Sequence, residues 1–352
     1  MKSSSYIRAS NIELLRLVLM FFIVLLHLYG GPQMRGNFST PLVYNIELGI
    51  TSLTIMSVNT FVFVSGYFGI KFKLKSLVSL FIQLLFYSTI IYGIILLLGT
   101  PFEFKDLIRA VFPVSSGLWW FMSSYIGLFF VAPLINSAVE NISKNEFRLI
   151  LIGLLFLNSF ACFIFNNASI GIAGSSTFNF IVIYSLARYI SKYSIDFRRP
   201  FLIFSFCVFV CFIMNYLLGS ILDRPILISY RYANPFLVLS SVSFFFIFKN
   251  YKLKQSRLIN NLSKLALGVY LIHNHPYIMS KLHVLINYVT MLYIESPIVL
   301  FAIILLISLL VFVVCLSLDY FRMIICNPLV NSICSKISSI YLNKSNKINN
   351  TF

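Results

Sequence analysis

Charged residues are scarce in this sequence, and acidic residues are the scarcest. Only 11% of the 352 residues are charged, and 10 of them are Asp or Glu. Between Ile12 and Leu318 no polar stretch is long enough to form an independent domain. Hydrophobic residues make up 59% of the chain and the mean hydropathy is +0.91, which excludes an ordinary soluble globular protein. We therefore predict one membrane domain that is solvated mainly by lipid.

The cysteines show neither CxxC spacing nor neighbouring histidines. They lie mostly within or beside apolar runs, where free cysteine behaves as a small buried hydrophobe. We predict buried thiols at all six positions, namely Cys162, Cys207, Cys211, Cys315, Cys326 and Cys334.

Long apolar runs recur along the whole chain. A hydrocarbon core of about 30 Å needs about 20 apolar residues in a helix, and this length divides the sequence into ten spans. The first follows Lys2 and Arg8 as a signal peptide would, but it contains Glu13 and Arg16 and lacks a cleavage site, so it is expected to remain as a helix. The ten predicted spans are Ile12–Tyr29, Ile46–Gly66, Leu77–Leu98, Leu118–Ala138, Leu149–Phe165, Phe178–Ile190, Phe201–Leu222, Tyr232–Phe248, Leu262–Met279 and Pro297–Tyr320.

The basic residues are distributed unevenly between the loops. A formal charge of +17 would suggest nucleic acid in a soluble protein. Here 20 of the 27 Lys and Arg residues fall in loops on the side of the N-terminus, six fall on the other side, and Arg16 lies within a span. Cytoplasmic loops carry such an excess, so the pattern predicts an all-α polytopic membrane protein with both termini inside and no nucleic acid partner. Residues 1–326 form the predicted transmembrane domain, and residues 327–352, rich in Asn, Ser and Lys, a flexible cytoplasmic tail.

The first span carries three polar residues on one face. Arg16 and His27 are 11 residues apart, which places them about 20° apart around a helix and about 16 Å apart along it. Glu13 lies within about 60° of Arg16. One interpretation is an interfacial Glu13–Arg16 ion pair with His27 among the lipid headgroups. The other is a polar path through the bundle, in which neutral His27 acts as a base for a hydroxyl acceptor.

Two lysines follow the second span at helical spacing. Lys71 and Lys75 are four residues apart and would project from one side of a helix. The common explanation for such residues is anchoring at the cytoplasmic surface. The functional alternative is a clamp for a polyphosphate ligand, because lysine supplies point charges to phosphates.

A second histidine-containing segment occupies the ninth span. His273 and His275 point about 200° apart on a helix, so they form a poor metal pair unless the helix breaks at Pro276. No metal site is predicted. Tyr270 and His273 could instead face the bundle together, either to contact substrate or to form an interhelical hydrogen bond.

Tryptophan occurs twice, at adjacent positions that begin the fourth span. Tryptophans at such positions commonly anchor a helix at the membrane interface. The alternative is an aromatic platform for a sugar ring, to which Trp119 and Tyr125 would contribute.

These segments together resemble the acyltransferase-3 family of bacterial membrane O-acyltransferases. The resemblance implies a multi-pass protein of the bacterial cytoplasmic membrane that transfers an acyl group, most often acetyl from acetyl-CoA, to a hydroxyl of a surface glycan or its lipid-linked precursor. The acyl-CoA is a donor substrate, and no cofactor is implied. The segments that carry the resemblance are Asn11-Ile12-Glu13-Leu14-Leu15-Arg16 with His27, Phe61-Val62-Phe63-Val64-Ser65-Gly66-Tyr67, Leu118-Trp119-Trp120-Phe121 with Tyr125 and Pro133, and Tyr270-Leu271-Ile272-His273.

The resemblance also implies roles for individual residues. An arginine and a histidine of the first helix are needed in that family, and they correspond to Arg16 and His27. His27 would be the general base, and Arg16 would bind the acyl-CoA or the oxyanion. Lys71 and Lys75 stand where many members have Arg-x-x-x-Arg, which keeps the charge but loses the bidentate fork. The remaining residues expected to bind substrate are Trp119, Tyr125, Tyr270 and His273.

Two other classes of function fit the same composition. A transporter or flippase for a lipid-linked sugar or small metabolite would use the polar stripe for translocation and would consume no thioester. A membrane sensor or scaffold would leave His27 without a chemical role. Surface polysaccharide is the expected acceptor by analogy with the family alone.

Overall fold

The chain folds almost entirely into helices. The computed structural model describes residues 9–29, 40–167, 169–222 and 226–349, and within these ranges it contains no β-strand. The all-α prediction is confirmed. The α-helices are α1 (Ser10–Tyr29), α2 (Pro41–Thr54), α3 (Ser57–Phe68), α4 (Leu74–Leu97), α5 (Phe104–Val111), α6 (Trp120–Asn141), α7 (Lys144–Leu157), α8 (Thr177–Lys192), α9 (Pro200–Leu222), α10 (Pro235–Asn250), α11 (Arg257–Leu262), α12 (Ala266–His273), α13 (Pro276–Tyr293) and α14 (Pro297–Asn349).

Seven helices of the described chain are long and apolar enough to cross a membrane, counting α2 and α3 as one. A membrane protein is therefore supported, while the count of ten spans and the inside position of both termini stay predictions. The predicted sixth and eighth spans correspond to α8 and α10, which have 16 residues each and fall short of the ~20 residues that a perpendicular span requires. Of the basic residues used for orientation, Lys2, Arg8, Arg35 and Arg224 lie outside the described residues.

Three predicted spans are not continuous α-helices. The second divides at Ile55 and Met56 into α2 and α3, and the fifth ends in a π-helix, Asn158–Ile164. The ninth is wrong as a single helix, because α12 ends at His273 and α13 begins at Pro276. His275 is extended (φ −65°, ψ 131°), as expected before a proline, whose ring disfavours the helical conformation of the preceding residue.

Helix α1 lies at the centre of the bundle. It packs against α2, α3 and α10 to α14, and Leu15, Leu19 and Val24 on it are fully buried. The first predicted span is therefore an integral helix of the fold. Asn11 ties its start to α10 by donating hydrogen bonds to the carbonyls of Phe248 (3.0 Å) and Lys249 (3.2 Å) in the last turn of that helix, where carbonyl groups lack partners within the helix.

Helices α3 and α8 make a close crossing at Gly66. A Cβ at this position would lie 2.7 Å from the carbonyl oxygen of Tyr184 and 2.8 Å from the Cβ of Ala187. Small residues allow such backbone approach between membrane helices. The glycine of the Ser65-Gly66-Tyr67 segment therefore has a packing role.

A buried polar cluster joins α14 to α4. Arg322 binds Asp319 through two hydrogen bonds, from Nε to Oδ1 (2.6 Å) and from Nη2 to Oδ2 (3.0 Å). The same Oδ1 accepts from Tyr87 (2.8 Å) and Gln83 (3.0 Å). Asp319 is fully buried and Arg322 is 7% exposed, so each charge is compensated by its partner, as a buried charge must be. Gly268 of α12 lies directly against the Asp319 carboxyl group.

The predicted boundary at residue 326 does not coincide with a helix end. Helix α14 continues through Pro328 to Asn349. Val330 is buried, and Asn331 accepts a hydrogen bond from Lys75 (2.8 Å), so the start of the predicted tail packs on the body. The flexibility and cytoplasmic position of the remainder stay predictions. The predicted burial holds for five of the six cysteines, whereas Cys334 is partly exposed.

Candidate active site

A cavity of about 330 Å³ runs beside α1 and contains both residues of the predicted pair. Arg16 and His27 line it together, so the same-face geometry calculated from the sequence is confirmed. The remaining lining comes from α1, α3, α4, α6, α12 and the segment before α10, and consists of Met20, Ile23, Leu26, Val58, Phe61, Ser65, Leu80, Trp120, Phe121, Met122, Tyr125, Tyr232, Leu267 and Tyr270.

Glu13 holds the guanidinium of Arg16. Arg16 Nη1 lies 2.9 Å from Glu13 Oε1, and the second oxygen of Glu13 accepts a hydrogen bond from the Ser263 hydroxyl. The side chain of Arg16 is 31% exposed whereas that of Glu13 is 6% exposed. The ion pair proposed as the simpler interpretation therefore exists, and its cationic member also opens into the cavity.

His27 lies against a second histidine. Its Nδ1 is 3.0 Å from Nε2 of His273, and His273 Nδ1 is 2.6 Å from the carbonyl oxygen of Val269. His283 of α13 approaches the His27 carbonyl with its Nε2 at 3.2 Å. His273 is fully buried and does not itself line the cavity. It reaches the site through His27, so of the two interpretations of His273 the interhelical contact is present.

His275 lies in the break between α12 and α13. The His275 ring packs edge-on against Trp119, with 5.9 Å between ring centroids. Trp119 is 1% exposed and does not line the cavity, so it is neither an exposed membrane anchor nor part of the cavity wall. Among the described residues no group of three His, Cys, Asp or Glu side chains is placed to hold a metal ion.

Aromatic rings form one wall of the cavity. Tyr125 and Tyr270, both expected at the site, belong to it, and Phe121 lies between them with centroid distances of 5.8 Å and 5.6 Å. Trp120 and Tyr232 also belong to it, 5.4 Å apart, and neither was among the residues expected at the site. Periodicity could not show which of the two adjacent tryptophans faces the cavity.

A chain of buried asparagines holds Tyr232 in this wall. Asn158 donates to Asn179 (2.9 Å), Asn179 to Asn59 (3.2 Å), and Asn59 to the carbonyl of Tyr232 (2.8 Å). All three asparagines are at most 1% exposed. The partners are more than 20 residues apart along the chain, so no local signal in the sequence could have identified this network.

The two lysines lie outside the cavity lining. Lys71 is in the extended connection after α3, whereas Lys75 is in the first turn of α4. The prediction that they project from one side of a common helix is wrong, because Gly69 adopts a positive φ of 73° and ends α3 before Lys71. Ile70 fixes this connection through its backbone, which accepts from Asn136 (2.9 Å) and donates to the Tyr184 hydroxyl (2.9 Å).

The site combines a cation, an imidazole and an apolar passage between them. An imidazole can accept a proton near physiological pH, and an arginine can bind anionic groups. Together with the apolar helices, this geometry is that of an integral membrane protein with a partly open cavity suited to acid–base chemistry.

A family model described as an acyltransferase domain, of the acyltransferase-3 family, matches residues 10–317. The chain belongs to the acyltransferase-3 family, which supports a membrane acyltransferase in general terms. No curated protein and no solved structure matches the chain.

Proposed function

We propose that this protein is an O-acyltransferase of a bacterial cytoplasmic membrane. It would transfer an acyl group, acetyl in the simplest case, from cytoplasmic acyl-CoA to a hydroxyl of a surface polysaccharide or its lipid-linked precursor. The observation that supports this proposal is that Arg16 and His27 both line one cavity. The chain also belongs to the acyltransferase-3 family.

The size of the cavity limits what can occupy it. Its volume of about 330 Å³ lies at the lower end of the ~300–1,000 Å³ typical of small-molecule sites. This space suits an acyl group on a narrow arm such as pantetheine and is too small for the whole of CoA or for an oligosaccharide. The nucleotide of CoA and most of the acceptor would therefore stay outside, so that only the reacting ends of the two substrates meet in the cavity.

The position of Arg16 favours donor binding over stabilisation of an oxyanion. His27 must lie within hydrogen-bond reach of the attacking hydroxyl, and an oxyanion donor must lie about 3 Å from the oxygen that it stabilises. Arg16 is about 16 Å from His27 along α1, and its guanidinium is bound to Glu13, which lies toward the start of the helix and away from His27. We therefore assign Arg16 to an anionic or polar part of the donor.

In the proposed reaction His27 removes the proton from the acceptor hydroxyl. The hydroxyl oxygen attacks the thioester carbonyl, the carbon–sulfur bond breaks, and the departing thiolate receives the proton from the imidazolium. The products are the O-acyl ester and the free thiol of CoA. The aromatic wall of Trp120, Tyr125, Tyr232 and Tyr270 lines one side of this space and would reduce the access of water that could hydrolyse the thioester.

The test is an acyl-transfer assay with purified protein in nanodiscs. Acetyl-CoA and a surface glycan preparation are supplied, free CoA thiol is measured, and the glycan is analysed by mass spectrometry for added acetyl. His27→Ala should abolish both signals, whereas Lys281→Ala, an exposed position on α13, should retain them. Normal transfer by His27→Ala would refute the proposed base. Movement of a lipid-linked sugar without thioester consumption would identify a transporter instead.

A further inference from the structure

Three groups form a hydrogen-bonded series that ends at the cavity. The carbonyl oxygen of Val269 lies 2.6 Å from Nδ1 of His273, and Nε2 of His273 lies 3.0 Å from Nδ1 of His27. The other nitrogen of His27, Nε2, makes no hydrogen bond to the described residues, and the side chain lines the cavity. Which atom donates and which accepts in each hydrogen bond follows from the chemistry of the first group, the Val269 carbonyl.

A backbone carbonyl can only accept a hydrogen bond. At 2.6 Å from Val269, Nδ1 of His273 must therefore carry its proton. A neutral imidazole has one N–H and one acceptor nitrogen, so Nε2 of His273 carries a lone pair. Because this lone pair faces His27 Nδ1, that nitrogen must donate, which leaves the lone pair of His27 on Nε2.

We propose that His273 is a positioning residue that holds His27 in the Nδ1–H tautomer, with the Nε2 lone pair available as the base. This inference rests on the proposed function and deepens it. When His27 accepts the hydroxyl proton on Nε2, its Nδ1 proton still binds His273, so the ring keeps its orientation. The Nε2 proton then passes to the departing thiolate, and the original tautomer is restored.

The surroundings of His273 fit this role better than a purely structural one. His273 is fully buried at the end of α12, where its direction is fixed by a carbonyl within its own helix. A contact that only joined α1 to α12 could run in either direction. Here the series is directional, and His283 holds the His27 carbonyl separately at 3.2 Å, so orientation of the imidazole is left to His273.

The tautomer can be measured without any substrate. The chain has four histidines, so full-length protein labelled with ¹⁵N only at histidine gives a spectrum in which the two ring nitrogens of each residue can be assigned by single substitutions. We expect protonated Nδ1 and unprotonated Nε2 for both His27 and His273. Protonation of His27 at Nε2 in the neutral wild-type protein would overturn the inference.

Paired substitutions then test the effect on turnover. His273→Gln offers an acceptor oxygen close to the position of Nε2 and should keep the His27 tautomer and most of kcat. His273→Phe keeps a ring but removes the acceptor, so His27 should change to the Nε2–H form, and kcat should fall at least about 100-fold with little change in KM for acyl-CoA. Equal kcat for His273→Phe and wild type would refute the positioning role.

The two hypotheses fail in different ways. If His27→Ala transfers acetyl normally, the proposed base is wrong whatever tautomer the spectrum shows. If His27→Ala is inactive but His27 in the wild type carries its proton on Nε2, the proposed function stands and the role of His273 fails. Should His273→Phe not fold, the wild-type spectrum together with His273→Gln still decides the question.

Discussion

Gly268 of α12 packs directly against the carboxyl group of Asp319 on α14. The contact leaves no space for a side chain, and the same carboxylate holds Arg322, Tyr87 and Gln83. Because α12 ends at His273 five residues later, the packing of this glycine also determines where the histidine pair lies.

Gly268→Ala is expected to destabilise the protein by about 1–3 kcal/mol, the usual cost of overpacking. It should also reduce transfer, because α12 must move away from α14. Thermal unfolding in detergent measures the first effect and CoA release the second. Gly93→Ala is the matched control, since a Cβ there meets nothing within 4 Å and alanine is favoured over glycine within a helix. Equal stability of the two variants would contradict the close contact.

Substitutions of Asp319 and Arg322 should have strongly non-additive effects on the free energy of unfolding. Arg322→Met leaves a buried carboxylate without its cation and is expected to cost about 3–5 kcal/mol, as is typical when one partner of a buried pair is removed. Asp319→Asn should be costly for the same reason. The double variant should recover much of the loss, because no buried charge remains. Additive losses in denaturation experiments would show that the pair does not interact.

Arg16→Lys tests the planar guanidinium while keeping its charge. Lysine can pair with Glu13 but cannot reproduce the fork, so we expect KM for acyl-CoA to rise about 10-fold, or about 1.4 kcal/mol, with a smaller change in kcat. Arg109→Lys is the matched control, because Arg109 forms an exposed pair with Asp106 at the same spacing. A large loss of kcat with unchanged KM would instead support the oxyanion role.

The variants Lys71→Ala and Lys75→Ala test whether these lysines bind the phosphates of the donor nucleotide or another part of the donor. If these lysines bind CoA phosphates, both variants should raise KM for acetyl-CoA, most strongly at low salt. They should leave acetyl-pantetheine, which lacks the phosphates, unaffected. Lys105→Ala, an exposed lysine on α5, provides the comparison. Equal effects on the two donors would exclude phosphate binding as the reason.

The relative positions of side chains were predictable from the sequence where all the residues concerned lie on one helix. The shared face of Arg16 and His27 needs only the turn of an α-helix, and the cavity contains both residues. The choice between Trp119 and Trp120 was not predictable, because the two are adjacent at the start of one helix and the difference depends on which ring meets His275. The position of Tyr232 depends on the distant Asn59.

Asp319 shows a second limit of sequence analysis. It lies one residue from the end of the predicted tenth span, where an acidic residue would ordinarily face the headgroups. Its partners Gln83 and Tyr87 are more than 230 residues away along the chain, so burial could not be inferred from neighbouring residues. By contrast, Pro276 marked the break after His273 locally, because proline constrains the residue that precedes it.

The cavity beside α1 has a consequence for how matter crosses the bilayer. If the acceptor is a polysaccharide that has already been exported, the nucleotide carrier would stay on one side and the polymer on the other, while only the acyl unit would change compartment. Such a catalyst performs vectorial chemistry: the driving force comes from cleavage of the thioester, and neither large substrate needs a conduit of its own. The passage between Arg16 and His27 would then admit the acyl unit and exclude the larger substrates, in addition to being the place where the reaction occurs.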